Sequence, residues 1–161
     1  MIIIIDGSIN SGKTTVSGLI ASMVPNTAHV EVDSLRHFVH WLPLEEAIPI
    51  SLENAASVAL NLVARGMHVV IDYPLGAEDH QYLVDRLAKT AEMVHTFTLS
   101  PSLSVAVENR GNRELSAREK RRIREQYEYR KSHSPVGLPI DNTHQTPEET
   151  AETIVKELGL R

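Results

Sequence analysis

The 161-residue chain contains no cysteine. That rules out a disulfide framework and any thiolate-bound zinc or iron–sulfur site. It fits a reducing compartment, and a cytoplasmic location is the expectation. The chain also lacks a long apolar run. Ile2 to Ile5 is far too short to span a bilayer and has no basic stretch before it, so it reads as a core strand rather than a signal peptide, with no membrane partner expected. There is no low-complexity tract and no internal repeat, which excludes linkers and solenoids. An excess of basic residues is missing too. The formal net charge is −5, so nothing overall draws the chain toward nucleic acid or a membrane surface. The length suits one domain with a real core, taken here as residues 1–161.

What is present begins at the first apolar run. Ile2 to Asp6 is followed by Gly7-Ser8-Ile9-Asn10-Ser11-Gly12-Lys13-Thr14 and then by an amphipathic stretch from Val16 to Val24. Strand, glycine-rich loop and helix in that order make a Walker A element. Gly7 and Gly12 permit backbone conformations that bulkier residues resist, and let the chain approach phosphate. The N–H groups of the loop, Asn10, Ser11 and Thr15 among them, form an anion cradle at a positive helix terminus. Lys13 reaches β- and γ-phosphates, and the Thr14 hydroxyl ligates Mg²⁺. ATP and Mg²⁺ are the expected cofactors.

Beyond the loop, apolar periods of two and of 3.6 residues alternate. Strands are expected at Ala28–Val32, Met67–Ile71, Met93–Leu99 and, weakly, Gly137–Ile140. Helices are expected where Leu52, Ala55, Ala56, Ala59, Leu60 and Val63 share a face, around Leu83, Leu87 and Ala91, from Pro101 to near Asn109, from Ser116 to about Lys131, and from Pro147 to Gly159. Ser116 with Glu119 forms a capping box. The stretch Pro43 to Pro49 reads as a mobile connection. The pattern predicts an α/β fold with a five-stranded parallel sheet covered by helices on both faces; with the Walker A element it resembles the three-layer P-loop NTPases of the nucleoside-kinase kind. Three strands then end in chemistry at one edge: Gly7, Asp33 and Asp72.

Hydrolases of this superfamily are disfavoured. Asp72 is followed by Tyr73-Pro74, so the second acid that polarises water in motor and transporter ATPases is missing. No Asn-Lys-x-Asp element is present to read guanine. What remains is a kinase layout, in which alignment and cations around the moving phosphoryl group do most of the work.

The chain resembles the small P-loop kinases that phosphorylate hydroxyls. Val32-Asp33-Ser34-Leu35 is shared with the chloramphenicol phosphotransferase family, whose acceptor is a small antibiotic alcohol. Asp33-Ser34-Leu35-Arg36 and Gly66-Met67-His68-Val69-Val70-Ile71-Asp72 are similar to the polynucleotide 5′-hydroxyl kinase domain. Gluconate and shikimate kinases are more distant in the same layout. The resemblance implies that Asp33 activates the acceptor hydroxyl and Arg36 holds an acceptor phosphate. It also implies a lid near residues 110–131 whose Arg110 and Arg113 close over the transferring group.

Each residue also has a plainer role. Asp33 at a strand–helix junction suits a helix cap. Arg36 suits an exposed helix face. Asp72 could hold Mg²⁺, contact the acceptor or only order its loop. Arg118, Lys120, Arg121, Arg122 and Arg124 alternate with Glu119, Glu125 and Glu128 as on a solvated face, or line a cleft for a polyanion. His37 and His40 lack a third ligand, so a metal site there is disfavoured. Trp41 would stack on an aromatic acceptor or pack; Ile123 and Tyr127 would pack the long helix down. The acceptor, either a small alcohol or a nucleic-acid 5′-hydroxyl, is open at this point, as is oligomeric state. A non-catalytic ATP-binding regulator is the alternative.

Overall fold

The structure, a computed structural model, describes residues 1–90, 93–108 and 114–160. Five parallel strands form one sheet: β1 (Ile2–Gly7), β2 (Thr27–Glu31), β3 (His68–Asp72), β4 (Val94–Leu99) and β5 (Leu138–Ile140), in the order β2-β3-β1-β4-β5. β1 is buried along its whole length, as expected of a β-branched run in a sheet covered on both sides. Its side chains alternate between two cores. Ile2 and Ile4 join Leu52, Ala55, Ala56 and Ala59 of α3 (Leu44–Val63) and Leu83 and Leu87 of α4 (Ala77–Leu87). Ile3 and Ile5 join Val16 and Ile20 of α1 (Lys13–Met23) and Ala151, Ile154 and Val155 of α7 (Pro147–Glu157). The expected three-layer architecture is therefore the observed one.

Sheet order reverses at β1, because β3 lies on one side of it and β4 on the other. A crevice opens at such a switch point beyond the strands' carboxyl ends, and it is where ligands bind in open α/β sheets. Register sharpens the location. Asp72 stands beside Ile5 of β1 and Glu31 of β2, so two carboxylates end adjacent strands beside the glycine loop.

Local signals explain most boundaries. α6 (Ala117–Lys131) carries the expected capping box between Ser116 and Glu119. α7 has a second box, Thr146 with Glu149, just before Pro147 at its first turn. α3 ends where Gly66, at φ 79°, donates its N–H to Val63 O at 2.8 Å, a left-handed terminus that glycine favours.

Four expectations need correction. Pro43 to Pro49 is not a mobile connection. Pro43 stands at the N-terminus of α3, its carbonyl accepts from the N–H groups of Glu46 and Ala47, and Pro49 lies inside the helix. Pro43 fits its position because the first backbone donors have no helical partner; Pro49, sixth in the helix, gives up one helical bond, which the inward packing of Ala47 and Ile48 offsets. β2 ends at Glu31, and Val32–Arg36 is a short helix, α2. The helix after Pro101 shrinks to α5 (Leu103–Ala106). α4 ends at Leu87 with a 3-10 turn at Ala88–Thr90 behind it; Ala91 and Asn109 lie outside the described residues.

A third, smaller apolar cluster lies apart from the sheet. Ala106, Leu115 and Ile123 gather there with Ile9 and Tyr127, which seats α6 on the glycine loop.

Candidate active site

The glycine loop is built by close packing. A Cβ on Gly7 would collide with the Ser11 hydroxyl and the Leu99 carbonyl. Gly12 opens α1 from φ 95°. Asn10 has φ 62°, the left-handed region that asparagine tolerates better than most residues. Its side-chain amide donates to Ala106 O at 2.9 Å and Glu108 O at 3.0 Å, so the part of Asn10 facing the cradle is its backbone. Lys13 Nζ donates to Ser8 O at 2.8 Å, folded over the loop. Ser11 is buried beneath it, and its carbonyl accepts from Asn142 Nδ2 at 3.0 Å.

Thr14 and Asp72 meet. Thr14 Oγ1 donates to Asp72 Oδ2 at 2.7 Å, and Glu31 Oε1 is 3.4 Å from the same hydroxyl. The other oxygen of Asp72 accepts from His29 Nε2 at 2.6 Å. A hydroxyl with one or two carboxylates is the hard-oxygen set that suits Mg²⁺, which completes its shell with water and phosphate. The residues present fit that ion. His29 would then orient the Asp72 carboxylate, as outer-shell histidines do.

A cavity of about 950 Å³ opens over these groups. Asn10, Gly12, Lys13, Thr14, Thr15, Asp33, Arg36 and Asp72 all line it, so most of the expected site residues converge. Gly7 and Ser11 support it from below. Arg110 and Arg113 lie outside the described residues. Asp33 sits in the first turn of α2 and is exposed. It does not cap that helix: Glu31 holds the cap position, and its carboxylate accepts from the Ser34 hydroxyl instead. The plain capping role is thereby removed, which leaves the Asp33 carboxylate free to face the cavity.

Sequence reasoning missed several residues here. Tyr73, Asp79 and Gln126 line the cavity. Of the basic run read as a solvated face or a cleft lining, Arg122 lines the cavity, while Arg118, Arg121 and Arg124 are exposed and do not. His29 was visible only as a polar residue inside a short strand. Asp6 was visible as a lone acid after four isoleucines; it is fully buried and paired with Arg130. Phe38 and Trp41 are exposed, and Trp41 meets His40 edge-to-face rather than packing inward. Among the described residues no group of three or more His, Asp or Glu could hold a metal by itself, so His37 and His40 form no such site.

Burial tunes three groups of the lining, raising the Asp79 carboxyl with help from the charge of Glu78 and shifting Lys13 and Tyr73 further. It pushes the Lys13 ammonium down to about 8, although Asp72, Asp6 and Asp33 pull the other way. It pushes the Tyr73 phenol up to about 12, helped by the negative charge of Asp33, so Tyr73 faces the cavity as a neutral hydroxyl. Among the described residues, five carboxylates (Glu31, Asp33, Asp72, Asp79, Glu119) face three cations (Lys13, Arg36, Arg122) across the cavity.

Glycine loop, sheet order and cavity define the class as the P-loop kinases. A family model for chloramphenicol phosphotransferase-like proteins matches residues 1–159, and the chain belongs to that family. Among solved structures, the tunicamycin resistance protein of Deinococcus radiodurans has TM-score 0.75 at 19% identity, over 99% of this chain and 96% of that one. A sugar kinase from Janibacter sp. has TM-score 0.70 at 18% identity, over 99% and 94%. A gluconokinase from Sinorhizobium meliloti has TM-score 0.65 at 19% identity, over 98% and 94%. At such identities the likeness is one of fold. No curated protein matches the sequence. Among the described residues no helix is long and apolar enough to cross a membrane.

Proposed function

We propose that the protein transfers the γ-phosphate of ATP to the hydroxyl of a small, non-anionic alcohol. The observation that carries this reading is the convergence of Lys13, Thr14, Asp72 and Asp33 on one cavity, with Asp33 freed from capping. Lys13 and the loop amides hold the phosphates. Thr14 and Asp72 would hold Mg²⁺, which would supply positive charge against the developing charge of the phosphates. Asp33 accepts the acceptor's proton as its oxygen bonds to the γ-phosphorus and the bond to ADP breaks. Arg36 orients the acceptor, and Arg110 and Arg113 supply lid cations.

The acceptor follows from charge. A nucleic-acid 5′-hydroxyl brings a chain of phosphates, and binding it calls for net positive charge. Among the described residues the cavity has more carboxylates than cations, a balance that Arg110 and Arg113 would bring to neutral and not to net positive, and the family is named for a small antibiotic alcohol. Both favour a compact uncharged acceptor. The regulator alternative is weakened by the placement of Asp33, for which pure nucleotide binding has no use.

The test is transfer from γ-labelled ATP with Mg²⁺ to a panel: chloramphenicol, tunicamycin, sugars and sugar acids, shikimate, and a 5′-hydroxyl oligonucleotide. Label on an uncharged small alcohol that vanishes with Asp33→Asn supports the reading. Label on the oligonucleotide alone, or only on a sugar acid or shikimate, overturns the acceptor. ATP binding with no transfer to any of them favours the regulator.

A further inference from the structure

α6 presents Glu119, Arg122, Gln126 and Arg130 three and four residues apart, hence along one face. Glu119 and Arg122 line the cavity. One turn on, Gln126 Oε1 accepts from the backbone N–H of Ile9 at 2.8 Å, inside the glycine loop. A further turn on, the two terminal nitrogens of Arg130 donate to the two oxygens of Asp6, each at 2.8 Å. Asp6 immediately precedes Gly7, has no exposed surface, and also accepts from Leu75 N at 2.9 Å and Thr98 Oγ1 at 3.1 Å.

A fully buried carboxylate at the foot of the cradle is costly unless neutralised. Burial lowers the basicity of the Arg130 guanidinium, but the hydrogen bond and charge of Asp6 more than offset this and raise it, so Arg130 stays charged. The same two charges act on Lys13: Asp6 favours its ammonium and Arg130 opposes it. Take Arg130 away, and Asp6 keeps two neutral donors but no counter-charge. The flexible cation it already attracts is Lys13, the one the phosphates need.

We propose that Arg130 is a positioning residue for nucleotide binding: by neutralising Asp6 it keeps the Lys13 ammonium available to phosphate. This rests on the nucleotide-binding part of the proposed function. Arg130 does not line the cavity, so it touches no substrate and acts through its neighbours. A salt bridge with a purely structural role gives a different expectation, in which Arg130→Met lowers the unfolding temperature but leaves nucleotide affinity unchanged wherever the variant is folded.

The experiment is calorimetric binding of adenylyl imidodiphosphate with Mg²⁺ to the full chain, with thermal unfolding in parallel. Arg130→Met should weaken binding by roughly tenfold or more, because a buried charge is left unpaired. The double variant Asp6→Asn/Arg130→Met removes that charge and should bind within roughly threefold of wild type. A double variant as weak as Arg130→Met overturns the proposal, as does an Arg130→Met variant that binds like wild type. If Arg130→Met fails to fold, Arg130→Gln, which keeps an amide donor without the charge, takes its place with the same expectations. Wild-type protein that does not bind the analogue overturns the nucleotide reading itself; wild-type binding with unchanged variants overturns only the role of Arg130.

Discussion

Ile2 to Ile5 are fully buried and divide between two cores, whereas α6 buries only Ile123 fully in fifteen residues. The sheet is held by apolar area, which is non-directional and tolerates small shifts. α6 is held by a small apolar cluster and by directional polar bonds: Gln126 to Ile9, Arg130 to Asp6, and Tyr127, whose hydroxyl donates to Pro101 O at 2.5 Å. Apolar burial makes the molecule fold. Polar bonds with fixed geometry set one arm of it against the phosphate cradle, where an ångström of misplacement is felt in the rate.

That comparison can be broken at several points. Asp33→Asn removes the base without touching either core, so transfer should fall roughly 10²–10⁴-fold. Its melting temperature and ATP affinity should stay near wild type; a stability loss as large as the activity loss would mean Asp33 belongs to the fold. Ile4→Ala takes a fully buried side chain from the sheet and should cost about 2–5 kcal/mol of unfolding free energy, read by urea titration.

Lys13 links the two regions through its charge. Its ammonium is pushed down to about 8 from 10.5, and phosphate binding needs the charged form. Nucleotide affinity should be flat below pH 8 and fall as pH rises through it, by at most about tenfold per unit for one proton. The unfolded chain holds this proton more tightly than the folded one between about 8 and 10.5. The group's unfavourable contribution to stability is therefore full below 8 and fades as pH rises through that window. An affinity independent of pH from 6 to 9 would remove Lys13 from the phosphate contact.

Ile123→Ala tests the other region. Its cost should lie near the low end, about 2 kcal/mol, because a small cluster beside exposed surface relaxes around the gap. Nucleotide affinity should fall with it, which Ile4→Ala should not cause at temperatures where both variants are folded. Trp41→Ala should change stability by no more than about 0.5 kcal/mol, since its ring is exposed; a large loss would show a contact that its exposure does not suggest.

Much of this was legible along the chain because it is local. The glycine loop, the capping box at Ser116 and Glu119, the β-branched strands and the final helix after Pro147 each depend on residues a few positions apart. Pro43 to Pro49 was misread for the same reason. Two prolines in seven residues look like a break until tertiary packing of Ala47 and Ile48 is seen to hold the helix together. Asp33 could be named, but whether it capped α2 depended on Glu31 and Ser34 taking one another instead. Arg122 looked like one more charge on a solvated face, and only the docking of α6 separates it from Arg121 and Arg124.

By itself the sequence determined the alternation of strands and helices, the phosphate loop and the residue types that chemistry requires at each strand end, because propensity, periodicity and turn geometry act over a few residues. Tertiary structure decided which of those residues meet. Asp72 is 58 residues from Thr14 and 43 from His29, Gln126 is 117 from Ile9, and Arg130 is 124 from Asp6. Such pairs leave no periodic trace in the chain. They exist because sheet order and register carry distant segments to the same edge, where a buried charge must find its partner.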